Sequence, residues 1–434
     1  MSLDWIARPG RPLRGRVRVP GDKSISHRAL MLAAIAEGVS TITGFLEGED
    51  TIATARILGQ LGVRIEAPAA GRRLVHGVGL HGLRAPSADL DCGNAGTGMR
   101  LLAGLLAGQG FDCRLIGDAS LSRRPMGRVV APLERMGARL ATGPGGTPPL
   151  IIHANNTLQA IDYEAPVASA QVKSAVILAA LYATGETCVR EPVPTRDYTE
   201  RMLRAFGWPI DFQPGLARLR GGQRLRATDV EVPADFSSAA FFLVAATLVP
   251  GSDLLLEAVG TNPRRTGLLE ALRRMGADIV ALDPRDAGGE SVADLRVRHA
   301  RLHGVELPAS LAPDMIDEFP ALFVAAALAA GESRFEGIGE LRVKESDRLA
   351  AMASALGALG ASVETGEDWA VVRGGSLAGG VVDSHGDHRI AMAAAVAAQC
   401  ASGPVRIADC ANVDTSFPGF LAAATACGFG LAPA

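Results

Sequence analysis

The feature that most limits what this chain can fold into is an internal repeat. An alanine-rich apolar helix pattern occurs six times, each closed by a glycine and followed by a strand-like run; the glycines are Gly38, Gly110, Gly185, Gly251, Gly331 and Gly403, spaced 72, 75, 66, 80 and 72 residues apart. A recurring period of this kind means one supersecondary unit used several times over. A second, more amphipathic helix pattern follows each run and ends in Gln60-Leu-Gly62, Arg135-Met-Gly137, Ala205-Phe-Gly207, Arg274-Met-Gly276, Ala358-Leu-Gly360 or Ala426-Cys-Gly428. Glycine at that place suits a left-handed helix C-cap. Each unit therefore reads strand, helix, strand, helix, strand.

The two helix types call for different surroundings. The first type, as in Ala29-Leu-Met-Leu-Ala-Ala-Ile-Ala36, is apolar nearly all round and should be buried on every side. The second carries charge on one face (Glu134, Arg135; Glu270, Arg273, Arg274) and should lie outside. A layered α/β protein follows, with buried inner helices and surface outer ones. Val17-Arg-Val-Pro-Gly-Asp-Lys-Ser24 is echoed by Val230-Glu-Val-Pro-Ala-Asp-Phe-Ser237, 213 residues on, about half the chain. Two similar domains of three units are expected, residues 19–233 and residues 1–18 plus 234–434, the first strand joining the second domain.

Composition narrows the function. A chain of 434 residues exceeds one ordinary domain of ~100–200 residues. A net charge of -3 with 4% aromatic residues excludes a basic, aromatic-lined nucleic-acid groove. The six cysteines (Cys92, Cys113, Cys188, Cys400, Cys410, Cys427) form no C-x-x-C pair, which reads as buried thiols in a reducing compartment. No apolar run approaches the ~18 residues of a membrane span, so a soluble cytoplasmic protein is expected. Only three of the 43 basic residues are lysine, Lys23, Lys173 and Lys344. Arginine keeps its proton, so any step that needs a releasable one falls to these lysines or to other groups.

Polar residues gather where the inner helices should begin: Asp22-Lys-Ser-Ile-Ser-His-Arg28, Asn94-Ala-Gly-Thr-Gly-Met-Arg100, Ser169-Ala-Gln-Val-Lys-Ser174, Asp235-Phe-Ser-Ser238, Asp314-Met-Ile-Asp-Glu318 and Asp383-Ser-His-Gly-Asp-His-Arg389. Ordinary N-capping accounts for the Ser, Asn and Asp. It does not account for Lys23, Arg28, Arg100, Lys173 or Arg389, because a first-turn cation opposes the helix dipole by roughly 0.3–1 kcal/mol. A bound anion removes the conflict. Helix starts lining one interdomain cleft would carry a strongly positive field and take a small polyanion bearing phosphate and carboxylate groups. Leu121-Ser-Arg-Arg-Pro-Met-Gly127 and Leu341-Arg-Val-Lys-Glu-Ser-Asp-Arg348 add cations; in the latter Lys344 and Arg348 stand i, i+4 on one predicted helical face. The P-loop spacing, a G-x-S-x-G elbow and a metal-ligand spacing around His385-Gly-Asp-His388 are missing, which disfavours nucleotide, hydrolase and metal readings.

These residues give the chain a family resemblance. Pro20-Gly-Asp-Lys-Ser-Ile-Ser-His-Arg28, Gly93-Asn-Ala-Gly-Thr97, Arg124-Pro-Met, Ser169-Ala-Gln171, Arg342-Val-Lys-Glu-Ser-Asp-Arg348, Asp387-His-Arg389 and Ser416-Phe-Pro418 closely resemble the 5-enolpyruvylshikimate-3-phosphate synthases. The resemblance implies a two-domain inside-out α/β barrel of the enolpyruvyl transferase type, with three βαβαββ units per domain. It implies transfer of the enolpyruvyl group of phosphoenolpyruvate to the 5-hydroxyl of shikimate 3-phosphate, without metal or cofactor. Lys23, Ser24, Arg28, Ser169, Gln171, Arg196, Asp317 and Lys344 would hold shikimate 3-phosphate. Lys23, Asn94, Gly96, Arg124, Gln171, Arg348 and Arg389 would hold phosphoenolpyruvate. Asp317 would be the base, Glu345 the acid and later base at the reacting carbon, and Lys23 an aid to phosphate departure. The family at large is a glyphosate target; Ala170, Arg196 before Asp197-Tyr-Thr199, and Thr415 depart from its better-known branch and resemble the class II bacterial branch, so the glyphosate response is not carried over with the resemblance. The expected partners are the two small-molecule substrates alone, on a monomer, with no nucleic acid and no membrane. The rival transferase acting on UDP-N-acetylglucosamine carries a reactive loop cysteine where this chain has Ala119. A silent anion-binding protein would have no use for the set Lys23, Asp317, Glu345, Arg348 and Arg389.

Overall fold

A computed structural model describes residues 3–434. Twelve α-helices occur among them: α1 (Lys23–Ala34), α2 (Glu49–Gln60), α3 (Gly96–Leu106), α4 (Gly127–Arg135), α5 (Ala170–Ala180), α6 (Tyr198–Ala205), α7 (Phe236–Leu248), α8 (Gly267–Arg274), α9 (Phe319–Ala327), α10 (Arg348–Ala358), α11 (His388–Ala398) and α12 (Phe420–Cys427). The odd-numbered helices are the apolar ones and are buried almost throughout; every residue of α9 and α11 is buried. The even-numbered ones bury one face. In α4 Val129, Val130 and Leu133 face inward while Arg128, Glu134 and Arg135 face solvent.

The chain divides into two units. One comprises Gly21–Val232 with Ala287–Glu290; the other comprises the N-terminal stretch up to Pro20, Pro233–Asp286 and Ser291–Ala434. Each has its own apolar core, the first around α1, α3 and α5 and the second around α7, α9 and α11. Alanine and glycine let the inner helices approach closely. A Cβ on Gly104 of α3 would lie 2.1 Å from the carbonyl oxygen of Ala175 in α5.

The strands form six four-stranded sheets among the described residues, none of them closed on itself, so the α/β architecture is built of separate sheets and contains no closed barrel among those residues. Each sheet contains one parallel pair, as in Leu90–Asp91 with Cys113–Ile116; a parallel pair needs a crossover, and in four of the six sheets an inner helix supplies it. Five of the six repeats end in two strands rather than the single one read from the repeat pattern, giving βαβαββ; in the sixth, Trp5–Arg8 from the N-terminus pairs with Gly430–Pro433 in place of the second. The extra strand escapes a pattern reading because the turn is short: Arg64–Ala69 returns as Arg72–Val78 across Gly71, whose φ is 68°. The six glycines after the outer helices all adopt positive φ, from 80° at Gly207 to 119° at Gly428. Those after the inner helices do so only at Gly38, Gly185, Gly251 and Gly331.

Two strands exchange places. Arg14–Val17 precedes α1 in the chain but pairs in parallel with Asp253–Gly260 after α7. Val230–Glu231 precedes α7 but pairs in parallel with Glu37–Thr43 after α1. The echo between those two segments is thus a repeat whose copies have traded sheets.

Candidate active site

In the unit built on α1, α3 and α5, polar side chains from the three helix starts and the segments before α4 and α6 meet. Asp22 caps α1 by accepting from the Ile25 amide, which fixes Lys23 as the first helical residue. Lys23 Nζ lies 3.0 Å from Asp50 Oδ2 of α2. Ser24 follows on α1, its carbonyl accepting from Arg28 Nη1 at 2.9 Å. Arg28 also donates to Thr199 Oγ1 at 2.7 Å and Ser174 Oγ at 2.8 Å. Burial, and then the neighbouring charge of Arg196, push the Arg28 guanidinium down to about 10, so two cations crowd here and an anion beside them would relieve both.

The start of α3 differs from expectation. Asn94 is not its N-cap; the helix begins at Gly96 after Ala95, and the Asn94 side chain instead bridges Arg124 Nη2 at 2.5 Å and Asp118 Oδ2 at 2.7 Å. Gly96 makes room for that arginine, since a Cβ there would come within 2.8 Å of Arg124 Nη1. At the start of α5, Ser169 is the N-cap and Gln171 hydrogen-bonds to Arg100 Nη1 at 2.8 Å and Thr97 Oγ1 at 2.9 Å. Of the sequence candidates in this unit, Lys23, Ser24, Arg28, Asn94, Gly96, Arg124, Ser169, Gln171 and Arg196 thus belong to helix starts or pre-helix segments tied by such contacts. Lys173 turns away: it is buried between Glu191 at 2.8 Å and Glu200 at 2.9 Å. Burial disfavours its charge, but those two carboxylates outweigh burial and hold the ammonium above its ordinary range.

The other unit gathers carboxylates with its cations. Asp317 Oδ1 lies 3.5 Å from Lys344 Nζ and 3.5 Å from Arg348 Nη1, and Oδ2 lies 3.6 Å from Arg265 Nη1. Arg348 is buried and donates to Glu345 Oε2 at 2.5 Å and Asp387 Oδ2 at 2.9 Å. Burial alone would lower its pKa, but Asp387, Glu345 and Asp317 together raise it, so it is a permanent cation. Asp387 does double duty, capping α11 by accepting from the Arg389 amide at 2.9 Å. Burial works against its charge, yet Arg348 holds its carboxyl below the usual carboxylate range. Arg389 Nη1 donates to the Asp317 carbonyl at 2.9 Å.

Three expectations need correction. Lys344 and Arg348 do not share a helical face: Asp347 caps α10, so the helix starts at Arg348 and Lys344 stays extended, with ψ -151°; both reach Asp317 through tertiary packing. The start of α9 is later than Asp314, at Phe319, because Ala309–Asp314 forms a 3-10 turn and Pro320 favours the first helical turn. Finally, Arg28 and Arg100 lie beyond the first turn of their helices. The α7–α9–α11 cluster sets Arg265, Lys344, Arg348 and Arg389 against Asp235, Asp317, Glu318, Glu345 and Asp387.

Asp50, Thr97 and Arg265 were not read from the sequence as site residues. The repeat carried a signal for Arg265, which precedes α8 as Arg124 precedes α4 and Arg196 precedes α6. Among the described residues no three His, Cys, Asp or Glu side chains group as metal ligands would. The arrangement can therefore bind anions with fixed cations in one unit and move protons on two carboxylates beside Arg348 in the other.

Comparison with known proteins gives this chemistry a context. The family described as EPSP synthase (3-phosphoshikimate 1-carboxyvinyltransferase) matches residues 7–423. A 3-phosphoshikimate 1-carboxyvinyltransferase of Xanthomonas campestris pv. campestris (strain B100) is 66% identical over 427 residues, 98% of each chain. One of Xanthomonas oryzae pv. oryzae (strain PXO99A) is 65% identical, over 98% of this chain and 97% of its own. A solved EPSP synthase from Acinetobacter baumannii superimposes with a TM-score of 0.90 at 48% identity, covering 100% of both chains. The enolpyruvyl transferase NikO from Streptomyces tendae, 18% identical with a TM-score of 0.80 over 100% of this chain and 99% of its own, shares the fold. The chain belongs to the EPSP synthase (3-phosphoshikimate 1-carboxyvinyltransferase) family.

Proposed function

We propose that the chain transfers the carboxyvinyl group of phosphoenolpyruvate to the 5-hydroxyl of shikimate 3-phosphate with release of phosphate. The observation that carries the reading is the pair of carboxylates sharing one buried arginine: Glu345 at 2.5 Å and Asp317 at 3.5 Å from Arg348. Addition of an alcohol to an enol phosphate needs one group to take the hydroxyl proton and another to protonate the methylene carbon. Asp317 takes the first role. Glu345 takes the second: it gives its proton to the methylene as the hydroxyl oxygen bonds to the adjacent carbon, forming a tetrahedral intermediate. The reverse transfer, from the new methyl group to Glu345, restores the double bond as the carbon–oxygen bond to phosphate breaks.

The cationic cluster supplies binding and charge compensation. Shikimate 3-phosphate falls to Lys23, Ser24, Arg28, Ser169, Gln171, Arg196, Asp317 and Lys344. Phosphoenolpyruvate falls to Lys23, Asn94, Gly96, Arg124, Gln171, Arg348 and Arg389. Fixed guanidinium groups stabilise charge as it develops without having to reorient. Lys23, which pairs with Asp50 at 3.0 Å, assists the departing phosphate in this reading. Every assigned group lies on one chain, so a monomer suffices, and six free thiols, five of them buried, fit a reducing cytoplasm.

Phosphate release measured with both substrates, with each omitted, and with UDP-N-acetylglucosamine in place of shikimate 3-phosphate tests the reading. Release only when shikimate 3-phosphate and phosphoenolpyruvate are both present supports it. Release with the nucleotide sugar instead, or none at all from folded protein, overturns it.

A further inference from the structure

The mechanism above leaves one buried cation of the α7–α9–α11 unit without a task. Arg265 is 4% exposed. Its Nη1 is 3.0 Å from Glu318 Oε1 and 3.6 Å from Asp317 Oδ2; its Nη2 hydrogen-bonds to Ser237 Oγ and lies 3.6 Å from Asp235 Oδ1. Ser237, on the first turn of α7, in turn donates to Glu318, the residue before α9. The guanidinium therefore ties the starts of two inner helices together. Arg124 and Arg196, at the corresponding place in their repeats, are assigned to ligand above; Arg265 pairs with protein carboxylates instead.

We infer that Arg265 is a positioning residue for enolpyruvyl transfer: it holds Asp317 and Glu318 so that the Oδ1 edge of Asp317 stays turned to the substrate hydroxyl. This rests on the assignment of Asp317 as base. The two oxygens of Asp317 have different neighbours. Oδ1 faces Lys344 and Arg348, both assigned to ligand, and the Lys344 side chain is 19% exposed and can turn to a bound phosphate. Oδ2 faces Arg265, whose surrounding protein oxygens and burial keep it in place when ligand arrives. Arg265 also balances Glu318, a carboxylate 1% exposed beside Asp317 in the chain, whose other cation, Arg389, stands 3.8 Å away. Without Arg265, two adjacent carboxylates repel and Asp317 loses the contact that orients it. A displacement of ~1 Å at a reacting group can cost up to about 10²-fold in rate.

The test is steady-state kinetics on Arg265→Met, on Arg265→Lys and on the double variant Arg265→Met/Glu318→Gln, which removes the buried charge pair together and keeps the protein folded if the single variant does not. The expected result is a kcat lowered about 10- to 100-fold in both methionine variants, with KM for both substrates within about threefold of the parent. Arg265→Lys should recover at least part of the loss, because it restores the charge. Parent-like kcat in a folded methionine variant would overturn the inference, as would a loss that falls on KM alone or one that lysine leaves untouched. If the unsubstituted enzyme itself fails to release phosphate from the two substrates, it is the functional reading that falls.

Discussion

At the scale of the residue, the proposed chemistry rests on two carboxylates that share an arginine but not a role. Asp317→Ala and Glu345→Ala are each expected to cut turnover by about 10²–10⁴-fold, the range of general acid–base catalysis, while ligand affinity changes less. Single-turnover kinetics beside equilibrium binding of shikimate 3-phosphate checks this; unchanged turnover in either variant refutes its role. A neighbouring histidine governs acid stability rather than catalysis. His27 is fully buried against Thr54, and burial, followed by the charges of Lys23 and Arg28, lowers it from 6.5 to about 3. The unfolded chain then binds a proton below pH 6.5 that the folded chain refuses, so this stability is complete above pH 6.5 and is lost as the pH falls toward 3. Between pH 6.5 and pH 5 the loss is about 2 kcal/mol, which His27→Gln should abolish; urea midpoints at the two pH values measure it. Lys23 and Arg389 could be picked out from sequence because a cation in a first helical turn is locally unfavourable. For Arg265 the repeat position was the one signal, and its burial was not legible, because Arg264-Arg265 in a turn looks like solvated charge until packing buries one of the two.

At the scale of the element, helix starts do most of the placing. Asp22, Ser169, Asp235 and Asp387 are N-caps whose side chains each accept a first-turn amide, which sets where Lys23, Gln171, Ser237 and Arg389 lie on their helices. Where a competing turn intervened, the expected start moved, as at α9, or the expected helical pair was not helical, as at Lys344 and Arg348. Close approach of the inner helices is the other element-level condition. Alanine at position 104 would favour the helix intrinsically by about 1 kcal/mol over glycine. The added Cβ would nonetheless stand 2.1 Å from Ala175 O, forcing α3 from α5 by more than an ångström. Overpacking of this kind costs roughly 1–3 kcal/mol, so Gly104→Ala should lower the urea midpoint rather than raise it.

At the scale of the whole molecule, the chain's two ends belong to one unit. Trp5–Arg8 lies inside its sheet, between Val405–Ala408 and Gly430–Pro433, with Trp5 buried and stacked on Phe420 at 5.7 Å. Arg14–Val17 completes a second sheet of that unit. A chain beginning at Val19 should therefore lose the cooperative unfolding of the α7–α9–α11 unit, and with it activity, while the α1–α3–α5 core persists. Differential scanning calorimetry with limited proteolysis checks this, and an unaltered thermal profile would contradict it. The sequence by itself determined the sixfold repeat, the apolar inner and amphipathic outer helices and the cations at helix starts, because periodicity and capping are local properties of neighbouring residues. Only the tertiary structure decided which strand pairs with which, that Lys173 is spent on Glu191 and Glu200 while Lys344 meets Asp317, and that Arg265 faces inward. Those outcomes depend on burial and on charges brought together from distant parts of the chain, and no local pattern records them.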